Sequence, residues 1–89
     1  MQDTISTYNG WSNRETWLVN MWLNNEEDNY RIILLAKNYS KSDLKRAKWI
    51  EQQLSEQLDD RINQVSLWSD LLNTAFYRVN WLEIVRNNQ

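Results

Sequence analysis

The sequence predicts an all-α fold, a compact bundle of four or five helices joined by short connections, on three observations. The 89 residues include no proline and one glycine, Gly10, whereas chains of several strands and tight turns need more of both. Apolar side chains recur at three- and four-residue steps along most of the chain. Serine or asparagine, the residue types that cap helices, stands before each such run. The length leaves room for one domain. Six tryptophans offer roughly 150–250 Å² of buried area each, enough to build a small core without a covalent staple.

Residues 1–8 are polar and aperiodic and read as a loose N-terminal arm; residues 9–89 read as a single helical domain. Asn9-Gly10 is a turn signal. Ser12 and Glu15 have the spacing of a capping box, which starts a first helix over about residues 13–24, with Trp17/Met21, Leu18/Trp22 and Val19/Leu23 as its i,i+4 pairs. These pairs cover more than one narrow stripe. Asn25 is expected to cap a second helix whose opening acids, Glu26, Glu27 and Asp28, suit the positive end of the helix dipole. That helix carries Tyr30, Ile33 and Leu34, widened by Ile32, Leu35, Ala36 and Tyr39. Ser40 or Ser42 starts a third and longest helix, to about residue 63, on the stripe Ala47, Ile50, Leu54, Leu58, Ile62 and Val65. Ser66 caps a fourth, with Leu67, Leu71 and Ala75 beside Trp68, Leu72, Phe76 and Val79. Asn80 and Glu83 form a second box-like start, with Val79 and Ile84 placed for a hydrophobic staple. A short fifth helix follows over about residues 81–86; the break near Asn80 leaves open whether helices four and five are one kinked element.

Composition excludes much chemistry. The chain has neither cysteine nor histidine, which removes disulfides, thiolate nucleophiles, Ser-His pairs and the usual zinc ligands. Glu26, Glu27 and Asp28, and likewise Glu56, Asp59 and Asp60, have neither the spacing nor the glycine of a calcium loop. No enzyme, catalytic residue, metal site or cofactor is therefore expected. A net charge of −2 does not favour general nucleic-acid binding. No apolar run approaches the roughly 20 residues of a membrane span, and the N-terminus lacks the basic-then-apolar order of a signal peptide; a cytoplasmic location is expected.

Two surfaces are candidates for binding. Trp11, Arg14 and Trp17 suit a protein partner, because Trp and Arg are favoured at interface hot spots; as architecture, the same residues are a turn, a cap and core tryptophans. Lys41, Lys45, Arg46 and Lys48, with Lys37 nearby and Trp49 off the apolar stripe of helix three, suit single-stranded nucleic acid through phosphate contact and stacking. As architecture they are a solvated face with Trp49 at the core edge. Cations at the start of helix three and acids toward its end oppose the dipole preference, at a few tenths of a kcal/mol each. Wide apolar faces on helices one, two and four leave surface that a homodimer would bury symmetrically.

Two stretches form recognisable motifs. One is Tyr8-Asn9-Gly10-Trp11-Ser12-Asn13-Arg14-Glu15-Thr16-Trp17, continuing through Val19-Asn20 and Trp22-Leu23. The other is Asp70-Leu71-Leu72-Asn73-Thr74-Ala75 followed by Val79-Asn80-Trp81-Leu82-Glu83-Ile84. Together they resemble a family of small uncharacterised bacterial, phage and plasmid proteins; Phe76 and Val85 stand where the family pattern has Leu and Ala, and the middle, residues 25–65, carries no resemblance. The resemblance implies a mobile-element setting and no particular activity. The expectation is a non-enzymatic module that binds a protein partner, as an accessory or inhibitor of a host system; the alternative is a nucleic-acid accessory protein.

Overall fold

The structure, a computed structural model, describes residues 8–61 and 66–89. Its elements are α1 (Arg14–Asn25), α2 (Glu27–Tyr39), α3 (Asp43–Arg61), α4 (Leu67–Arg78) and α5 (Trp81–Asn87). The all-α bundle expected from periodicity is the observed fold.

Ahead of α1, Tyr8 and Trp11 exchange backbone hydrogen bonds at 2.6 and 2.8 Å. Asn9 and Gly10 between them have φ of 49° and 86°, the two left-handed residues of a type I′ turn, which Asn-Gly favours. Residues 1–7 of the expected arm lie outside the described residues.

Two expected caps are corrected. Asn13, not Ser12, starts α1, its side chain accepting from the Thr16 N–H at 2.8 Å. Asparagine caps at least as well as serine, and the one-residue shift puts Thr16, not Glu15, at the third helical position, so the Ser12–Glu15 box does not form. Asn25 completes α1 instead of capping α2; Glu26 alone separates them, extended at φ −106° and ψ 126°, and α2 begins without a side-chain cap. Its first-turn acids Glu27 and Asp28 complement the dipole instead. At α3 the Ser42 hydroxyl accepts from the Lys45 N–H at 3.3 Å. Ile62 and Val65, expected to continue that helix's apolar stripe, fall outside the described residues. Ser66 caps α4 in a reciprocal box with Ser69. Helices four and five are separate: the chain is extended at Val79, and the Asn80 side chain accepts from the Glu83 N–H at 3.1 Å to open α5.

The buried core is Leu23 from α1, Ile32, Ile33 and Ala36 from α2, Ala47 and Ile50 from α3, Val79, and Trp81, Ile84 and Val85 from α5. Helix α5 packs chiefly on α3, α1 on α2, and α2 on α3. The C-terminus is tied down as well. Asn88 donates to Asn20 and to the Ile84 carbonyl, both at 2.7 Å, and Gln89 donates to Asp43 at 2.6 Å. Helix α4 is different: it lies against α1, and its one buried residue is the capping-box Ser69.

Candidate functional site: a polar clasp and an apolar face

The two recognisable stretches of sequence meet in space. The Ser12 N–H, released from capping, donates to both carboxylate oxygens of Glu83 at 3.0 and 3.2 Å. Asn13 uses its Nδ2 to donate to the Arg78 carbonyl at 2.7 Å, which occupies a free carbonyl at the end of α4. Thr16, with no exposed surface, donates through Oγ1 to Asn13 and accepts the Asn80 N–H there, both at 2.8 Å. Glu15 receives the Arg78 guanidinium at 3.1 Å. Glu15 and Glu83 were both expected to reach back along their own helices. Each instead reaches across the fold, and together these bonds clamp the start of α1 to the α4–α5 junction.

Of the first candidate trio, Trp11 and Trp17 are half-buried and Arg14 is exposed. Trp11 packs on the core. Trp17 stands edge-on to Tyr8, ring centres 5.1 Å apart, and the Arg14 guanidinium lies 6.0 Å from the same ring. Arg14 and Trp17 thus gather around Tyr8, beside the turn, and Trp11 faces inward.

The structure divides the second candidate group. Arg46 donates to the Ser40 and Lys37 carbonyls, so it satisfies the end of α2 rather than facing a ligand. Trp49 sits at the core edge, as its off-stripe position suggested, and stacks on Tyr39 at 5.9 Å and 28°. Lys41, Lys45 and Lys48 are exposed and none of them forms a salt bridge among the described residues. Tyr39, at 60 % exposure, is the residue that sequence reading left out of this corner, because its membership of the α2 stripe placed it with the core.

A third surface carries the largest apolar exposure. On α4, Leu67 (66 %), Trp68 (68 %), Leu71 (51 %) and Leu72 (46 %) are open to solvent, as are Leu18 and Trp22 on α1. Leu18, Val19, Leu58, Leu72, Ala75 and Phe76 line a groove of about 220 Å³ between α1, α4 and the end of α3. Among the described residues the one charged residue lining it, Glu15, is already paired with Arg78. The signal in the sequence was charge scarcity: Asp70 and Arg78 are the only charged residues of α4's twelve, too few for a helix with an ordinary solvated face.

Among the described residues no three of His, Cys, Asp and Glu gather where they could hold a metal ion, and no helix is long and apolar enough to cross a membrane. Fold and surfaces together define a small helical domain, clamped at its α1–α5 end and left apolar along α4. The chain belongs to a family of unknown function (DUF7249), whose model matches residues 4–87. No curated protein and no solved structure matches it.

Proposed function

We propose that this chain is a non-enzymatic interaction module that binds a protein through the apolar face of α1 and α4. The observation that carries this reading is the groove whose only charged lining residue among the described ones is paired, flanked by the half-exposed or more exposed Leu67, Trp68, Leu71 and Leu72. Contiguous apolar surface of this kind marks interaction sites in soluble proteins, and tryptophan is the residue most enriched at their energetic centres. Arg14 and Trp17, beside Tyr8, lie on the same helix as Leu18 and can extend the contact. The resemblance to bacterial, phage and plasmid proteins supports a cytoplasmic role as a mobile-element accessory or an inhibitor of a host system. Immobilised wild-type chain and a Leu72→Asp variant of equal helicity are to be compared as baits. A specific protein held by the first and released by the second is the expected result. No specific protein, not even a soluble copy of this chain offered to the bait, or equal recovery on both, counts against the reading.

A second reading has its own observation: the exposed Tyr39 stacked on Trp49 beside Lys41, Lys45 and Lys48. Base stacking on such a ring pair, with lysines on the phosphates, would serve a nucleic-acid accessory role. A gel shift with single- and double-stranded DNA tests it. The reading expects salt-sensitive binding that is abolished when Lys45→Glu and Lys48→Glu are combined; the absence of any shift at low salt removes it.

A further inference from the structure

We infer that the protein seated on the α1–α4 face is a second copy of this chain, in a two-fold dimer built on antiparallel α4 helices; the inference rests on the interaction reading above and names its partner. Area is the first support. Trp22 and Trp68, 52 % and 68 % exposed, leave roughly 250 Å² of apolar surface open. Leu18, Leu67, Leu71 and Leu72 leave about as much again. A stable interface covers about 800 Å² per partner, and in homodimers about 65 % of it is apolar, or roughly 500 Å². The exposed apolar surface therefore matches one side of such an interface.

Shape is the second support. A two-fold contact must be self-complementary, so the same patch has to carry both a projection and a receptacle. Here Trp68 is the projection, and the groove of about 220 Å³ beside Leu72, Ala75 and Phe76 is the receptacle. A cavity of about 150 Å³ accepts a benzene molecule, so this groove has room for an indole ring. Along α4, Trp68 and the Ala75–Phe76 floor lie on either side of Leu72 by nearly equal steps. Antiparallel pairing about Leu72 sets each Trp68 over the partner's Ala75 and Phe76, and does so twice. Charge is the third support. Glu15 is neutralised by Arg78, and a net charge of −2 leaves little repulsion between copies.

Sedimentation equilibrium of the intact chain across a wide concentration range is the test, with helicity checked by circular dichroism. The expected result is a dimer. Trp68→Asp and Leu72→Arg should each weaken it by roughly 30-fold or more, the loss typical of removing a hot-spot residue. Tyr77→Ser should not, because Tyr77, 86 % exposed, projects from the other side of α4. A wild-type chain that is monomeric throughout, a particle larger than a dimer, or a dimer untouched by both face variants overturns the inference. A monomer that still captures a different protein through Leu72 overturns the second copy while the interaction reading stands; a monomer that captures nothing overturns both.

Discussion

Ile84→Ala is expected to destabilise the chain by about 2–5 kcal/mol, the range for truncating a large aliphatic side chain inside a core. Ile84 has no exposed surface, and it belongs to a seven-residue helix whose other buried residues are Trp81 and Val85. A helix of under two turns has no stability of its own in water, so α5 exists because it packs on α3. A domain of this length is stabilised by about 4–13 kcal/mol in all. The substitution therefore removes much of the margin and lowers the melting temperature by roughly 10–30 °C. Thermal unfolding followed by far-ultraviolet circular dichroism gives the measurement. Leu67→Ala is the comparison: at 66 % exposure on α4, it should change stability by no more than about 0.5 kcal/mol in the monomer. If the two variants melt together, α5 is not the element that closes the core.

That contrast between α5 and α4 marks how far the sequence could be read. Periodicity locates the described helices to within a few residues, since the 3.6-residue repeat is a local property of each segment. Ser66, Asn80 and the Asn9-Gly10 turn were legible for the same reason: their partners are three residues away or fewer. Sequence and structure part where a local partner competes with a distant one. Ser12–Glu15 and Asn80–Glu83 have identical box spacing, yet Ser12 is bonded to Glu83 and Glu15 to Arg78, across 71 and 63 residues of sequence. Arg46 illustrates the same limit. Its neighbours Lys45 and Lys48 made it look like part of a charged surface, and only the fold brings the end of α2 within reach of its guanidinium. Surface allocation was hidden too. Wide apolar stripes on α1, α2 and α4 look alike as patterns, but α2 buries Ile32, Ile33 and Ala36 while leaving Tyr30, Leu34, Leu35 and Tyr39 exposed, whereas α4 lies at the edge of the bundle and buries none of its apolar side chains completely.

The clasp yields the other large effect, and the ordering of two substitutions tests its chemistry. Thr16 is completely buried, so either packing or hydrogen bonding could be what holds it there. Thr16→Val keeps the shape and removes the oxygen that accepts the Asn80 N–H and donates to Asn13, both at 2.8 Å. A backbone donor left without its partner costs about 1–3 kcal/mol. Thr16→Ser keeps the oxygen and removes one methyl, a loss of about 1 kcal/mol or less on the scale of a single buried methyl. The hydrogen-bonded clasp therefore requires valine to be the more damaging of the two, although valine is the more apolar and the better filler. Denaturant unfolding should show a midpoint lower for Thr16→Val than for Thr16→Ser, with the slope unchanged in both, since the surface exposed on unfolding is the same. The reverse order would mean that the buried side chain serves as packing alone, and that the start of α1 and the α4–α5 junction are held together by the apolar core beneath them.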